Sequence, residues 1–150
     1  MKPVTVAIEV PQPREEVYDL LDVLGNHEQF TDHFLVDWEL SGAPIGAGAK
    51  ARMQVKSFGI KDPLEMEVVA AERPRMTAEE SISAKGRRRT RGTYRLDTRP
   101  EGGTIIDFEL EWLRATLLDR LAAPVVRSIV RNANLRALQR LRVRLEELDG

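Results

Sequence analysis

Between Phe34 and Arg114 the chain alternates apolar and polar residues in one short segment after another, with turn residues between them. Phe34, Val36, Trp38 and Leu40 alternate with Asp37, Glu39 and Ser41. Ala49, Ala51, Met53 and Val55 alternate with Lys50, Arg52, Gln54 and Lys56, and Leu64, Met66 and Val68 with Glu65 and Glu67. A polar segment at Met76–Ala84 follows, then Thr90–Thr98, then Thr104–Arg114. A two-residue period belongs to a strand with one buried face. The turns, such as Lys85-Gly86 and Pro100-Glu101-Gly102-Gly103, are far shorter than the crossover of a dozen or more residues that parallel neighbours need. These six segments therefore form an antiparallel meander. Val4, Val6, Ile8 and Val10 predict one more strand at the N-terminus, about seven in all.

Pro11 and Pro13 end that first strand, and Val17, Leu20, Leu21 and Leu24 then fall at i, i+3, i+4 and i+7. The spacing predicts a short amphipathic helix, with Glu15 and Glu16 at its positive end and Gly25 beyond its last turn. A second, shorter helix is expected over Asn26 to Thr31, capped by Asn26. After the meander, Thr116-Leu117-Leu118-Asp119 reads as a helix start, and Pro124 either kinks that helix or restarts it. Beyond it Val126, Val130, Ala133, Ala137, Leu141, Leu145 and Leu148 share one face, flanked by Ile129 and Leu138. A helix of about 25 residues spans roughly 37 Å, and the last strand reaches a similar length. A long apolar stripe and a long sheet face of matching length pack together. The expectation is one α+β domain over residues 1–150, a curved antiparallel sheet wrapped around a long C-terminal helix.

Composition narrows the function classes. With no cysteine the chain has no disulfide and no thiolate chemistry. Its net charge of −1 gives the molecule as a whole no electrostatic reason to seek DNA or acidic lipid. Its apolar runs are only a few residues long, so no membrane span is predicted, and a cytoplasmic location is the default. Gly46-Ala47-Gly48-Ala49-Lys50-Ala51 fits the dinucleotide pattern in form. That pattern has meaning only ahead of a helix, and a strand follows here, so no cofactor is expected.

The order of elements resembles the helix-grip fold of the START/Bet v 1-like (SRPBCC) superfamily, and specifically its bacterial polyketide cyclase/dehydrase and lipid-transport-like branch. The resemblance rests on Val10-Pro11 running into Pro13 to Leu21, on Gly46-Ala47-Gly48, and on Arg73-Pro74. Gly92 to Leu96 followed by Gly103-Thr104 and the acidic strand Asp107 to Glu111, and Leu138 to Glu146, carry it further. It implies an apolar cavity between sheet and helix, used to bind or transport lipids, sterols, polyketides or similar molecules, and in some members cyclisation or dehydration.

Alternation places Trp38, Met53, Met66, Tyr94, Phe108 and Trp112 on inward faces, opposite Val130 and Asn134 of the helix. These are the expected ligand contacts, or alternatively core packing. The small Ala133 and Ala137 leave space that favours a pocket. Asn134 interrupts the apolar face, and a buried amide needs a partner in the sheet, a water or a ligand. Four polar residues are candidates for moving protons: His33, Glu80, Tyr94 and Arg114. Glu80 is in phase with Met76, Ala78 and Ile82, although one bulge would bring Glu79, Ser81 and Ser83 inward instead. Arg114 either binds an anionic group at the end of the cavity or extends out to water. The spacing of His27 and His33 matches no helical metal motif, and no metal is expected. The charge run Arg87-Arg88-Arg89-Thr90-Arg91 is either a solvated hairpin or a contact for an acidic partner.

Overall fold

The computed structural model describes every residue from Met1 to Gly150. Strand β1 (Val4–Val10) leads into helix α1 (Arg14–Leu21), a 3-10 turn (Leu24–His27) and α2 (Glu28–Thr31). Six strands follow: β2 (Leu35–Gly42), β3 (Ala49–Ser57), β4 (Ile60–Glu72), β5 (Met76–Ser83), β6 (Arg88–Thr98) and β7 (Thr104–Arg114). Helices α3 (Leu117–Leu121) and α4 (Ala123–Asp149) close the chain.

The strands pair antiparallel in the order β1-β7-β6-β5-β4-β3-β2. Only β1 departs from the meander, pairing with β7 so that Val6 lies opposite Phe108 and Ile8 opposite Ile106. The chain then crosses on α1 and α2 to the opposite edge of the sheet, where β2 begins. Irregularities at Val36/Glu39, Val68/Ala70 and Arg89/Thr90 interrupt the ladders. Such bulges bend strands and increase their twist, which lets the sheet curl around α4.

At the helix ends the cap expected of Asn26 is not found, while Pro124 takes one of its two expected roles. Asn26 caps nothing; it lies inside the 3-10 turn and its Nδ2 donates to the Leu20 carbonyl at 3.0 Å. Pro124 restarts a helix, standing in the first turn of α4, while α3 is separately capped by the Thr116 hydroxyl, which accepts from Asp119 N at 3.0 Å. Leu148 is exposed at the end of α4, outside the buried stripe. No helix is long and apolar enough to cross a membrane.

The buried side chains form two clusters. The larger joins β1, α1, β6 and β7 to the C-terminal half of α4 through Ala137, Leu138, Leu141 and Leu145. The smaller joins Leu24 and Leu35 to Ala49, Ala51, Met53, Met66 and Val68 of β3 and β4. Helix α4 makes its close backbone approaches to β1 and α2. Its N-terminal half therefore stands away from the middle of the sheet, and its apolar residues there are partly buried, as Val126, Val130 and Ala133 are, or exposed, as Val125 and Ile129 are.

Candidate functional site

Space remains between the two clusters, a cavity of about 370 Å³. Phe34, Leu35, Val55, Leu64 and Met66 line it on one side and Tyr94, Phe108, Leu110 and Trp112 on the other, with Val126, Ile129, Val130, Ala133 and Ala137 of α4 across from the sheet. Small residues keep it open. Gly92 is one: a Cβ there would lie 2.6 Å from Cζ and 2.9 Å from Cε1 of Phe108. Glycine lets the Phe108 ring fold flat over β6, 4.5 Å from the Tyr94 ring centroid.

Of the residues expected at the pocket, Met66, Tyr94, Phe108, Trp112, Val130 and Asn134 are brought together on the wall. Trp38 and Met53 are not. Met53 is buried inside the smaller cluster, and Trp38 packs against that cluster from within the β2 bulge, its Nε1 donating to the Leu35 carbonyl at 3.0 Å.

Three of the four proton-transfer candidates lie elsewhere. Glu80 points to the outer face and is paired with Arg91. Arg114 is exposed at the end of β7, opposite Arg89. His33 ties α2 to α4: its Nε2 donates to the Ala133 carbonyl at 2.9 Å, and its Nδ1 accepts from Arg140 at 2.8 Å. Burial first, and the Arg140 charge further, hold His33 below its ordinary pKa, so it is a neutral brace outside the cavity. Tyr94 alone of the four is on the wall.

Glu79, Ser81 and Ser83 are the inward residues of β5. The register shows why. Ser83 lies opposite Arg88, so odd residues of β5 share a face with even residues of β6, and Glu79 falls opposite Gly92. An inward Tyr94 thus requires an inward Glu79. Hydrophobicity alone pointed the other way, because Met76, Ala78 and Ile82 lie on the outer face.

Burial raises the Glu79 carboxyl to about 8, so it is protonated at neutral pH. Behind it, His27 is buried and held down to about 4 by desolvation. The His27 Nε2 donates to the Leu21 carbonyl at 2.7 Å, which turns Nδ1 toward Glu79 Oε2 at 3.9 Å. Two neutral titratable groups thus sit in contact at one wall. Tyr94 is raised well above its ordinary range by burial and then by Glu79. Across the space, Asn134 is buried with no partner for its Nδ2. At the opposite end Arg88 donates two bonds of 2.8 Å to Asp119, whose carboxyl is held low chiefly by that guanidinium. This bidentate pair joins α3 to β6 and closes the polar end of the cavity.

No protein-family model matches the chain, and no curated protein matches it in sequence. Solved structures match it over nearly its full length. A protein of Thermus thermophilus, TTHA0849, superposes with a TM-score of 0.76 at 18% identity, covering 99% of this chain and 100% of that one. The Zhui aromatase/cyclase from Streptomyces sp. R1128 gives 0.75 at 16% identity, covering 99% and 96%. Norcoclaurine synthase from Thalictrum flavum, a point mutant bound to a transition-state analogue, gives 0.76 at 9% identity, also covering 99% and 96%. The chain has the helix-grip fold that these structures share. Identities this low establish the helix-grip architecture and leave the chemistry to the side chains of this cavity.

Proposed function

We propose that the protein binds a small apolar molecule bearing a hydrogen-bond-accepting oxygen, held between the sheet and α4. The observation that supports this is the cavity of about 370 Å³, apolar over most of its wall, with an unpartnered Asn134 amide and a protonated Glu79 on it. Its size is within the range of small-molecule sites, about 300–1,000 Å³. Both polar groups are donors at neutral pH, so a carbonyl or hydroxyl oxygen suits them and a carboxylate beside Glu79 does not. A buried donor left unpaired costs about 1–3 kcal/mol, which a ligand oxygen would recover. Isothermal titration with a matched pair, α-tetralone and the hydrocarbon tetralin, tests this reading. The ketone should bind about tenfold tighter, and Asn134→Ala should remove most of the difference. Equal affinities for the pair, or a preference for the hydrocarbon, would argue against it.

Glu79 also favours a second reading, an enzyme of the cyclase or dehydratase kind. A carboxyl with a pKa near 8 holds a proton at neutral pH and can give it up. In an elimination, Glu79 would protonate a departing hydroxyl as water, and the resulting carboxylate would take a proton from the adjacent carbon as the double bond forms. The acid is then restored. Under this reading Glu79→Gln abolishes turnover and leaves binding within a few-fold, whereas a pure carrier shows no turnover to lose.

A further inference from the structure

The end of the molecule at the cavity's polar rim carries an unusual surface. Five large apolar side chains are more than 70% exposed, and all five are here: Phe58 and Ile60 on the β3–β4 hairpin, and Leu117, Leu118 and Leu121 on α3. Phe58 is the most exposed of them at 87%. The hairpin and α3 are held side by side. Asp62 at the base of the hairpin accepts from Ala84 N at 3.0 Å, and Arg88, 3.9 Å from Asp62, binds Asp119 of α3.

The same end carries a group of unpaired cations. Lys56, Lys85, Arg87, Arg89, Arg114 and Arg120 surround the apolar residues, and none has a carboxylate within salt-bridge distance. The acidic groups present are already engaged, Asp37 with Lys61 and Asp62 and Asp119 with Arg88. Elsewhere on the sheet the cations are paired, Lys50 with Glu67, Arg52 with Glu65 and Arg95 with Glu109. A net charge of −1 over the whole chain conceals this polarity.

We propose that this end docks on an anionic lipid bilayer, with Phe58, Ile60 and the α3 leucines entering the interface and the six free cations meeting the headgroups. Apolar side chains with a basic surround are what such an interface selects, because the acyl boundary takes the former and the negative surface potential attracts the latter. A protein partner or a second copy of this chain would have to supply a ring of acidic groups, and this chain has none free at that end for a copy to offer. The cavity wall includes Lys56, Ser57, Ser83 and Arg88, so docking would bring its rim to the membrane.

Sedimentation with vesicles tests this. The full chain should pellet with vesicles of 70% phosphatidylcholine and 30% phosphatidylglycerol at low salt and stay in the supernatant with pure phosphatidylcholine. Arg87→Glu with Lys85→Glu, and separately Leu118→Asp, should each weaken pelleting about tenfold or more while the melting temperature stays near wild type. Raising the salt to 0.5 M should weaken it further, as screening shortens the range of the charges. No pelleting with the anionic vesicles would overturn the proposal. So would pelleting that the charge reversal leaves unchanged, or a concentration-dependent dimer lost in Leu118→Asp without vesicle binding.

Discussion

Burial keeps the Glu79 carboxyl protonated up to a pH of about 8, whereas in the unfolded chain it ionises near an ordinary carboxylate value. Above that ordinary value the unfolded state binds fewer protons than the folded one, so stability falls as pH rises, until the folded carboxyl ionises. His27 acts in the opposite sense. Its folded pKa is about 4, so the unfolded imidazole protonates first and stability is lost as pH falls from about 6.5 toward 4. His33 is shifted the same way and adds to that loss. Between about pH 6.5 and 8 the Glu79 effect outweighs the histidines, and urea denaturation should show ~1 kcal/mol less stability at the upper limit. Glu79→Gln should flatten that slope; an unchanged slope would mean Glu79 is not the buried acid. Gly92→Ala tests the same wall one strand away, where Gly92 is the cross-strand partner of Glu79. The added methyl, 2.6 Å from Phe108 Cζ, must push the ring toward the cavity, destabilising by about 1–3 kcal/mol and weakening α-tetralone binding in calorimetry. Residue identity was legible where packing set it, as at Tyr94 and Phe108. It was not legible on β5, where the inner face borders space and therefore carries Glu79, Ser81 and Ser83 while apolar residues lie outside. Only the register across the Lys85-Gly86 turn distinguishes the two faces.

At the scale of elements, α4 has two roles that its uniform stripe does not separate. Its C-terminal half fills the larger core, and Leu141 is fully buried there. Its N-terminal half faces the cavity through Val126, Val130 and Ala133. Leu141→Ala should therefore cost about 2–5 kcal/mol in chemical denaturation, and Val130→Ala about 1 kcal/mol or less. Equal losses would mean that no space separates helix from sheet. Helix α3 has only five residues and buries only Asp119. Its position depends on the Arg88–Asp119 pair. Asp119→Asn should accelerate amide hydrogen exchange in Leu117–Leu121 without changing Leu141 to Leu145, at a cost of about 1–2 kcal/mol, since Arg88 is partly solvated. The element order and nearly every strand were readable from alternation and turns. Alternation left open whether Pro124 kinks a helix or restarts one, and the brace from His33 to Ala133 was not readable because it depends on a neighbour distant in sequence.

At the scale of the molecule, the sheet curls around a helix whose facing residues shrink to alanine where the strand faces turn to glycine and serine. Matching lengths of stripe and sheet indicated that the two would meet. Alternation gives the direction of a side chain and carries no volume, so the space between them became visible only with the three-dimensional arrangement. Filling that space with a probe, or with a side chain, shows whether it exists in solution. N-phenyl-1-naphthylamine, an uncharged apolar fluorophore, should bind the wild-type protein saturably near one-to-one with enhanced emission. Ala133→Trp, which sets an indole into the cavity from α4, should weaken that binding at least tenfold while the protein stays folded by circular dichroism. Wild-type protein that leaves the probe in water, or a folded Ala133→Trp protein that binds it as well as before, would contradict the account.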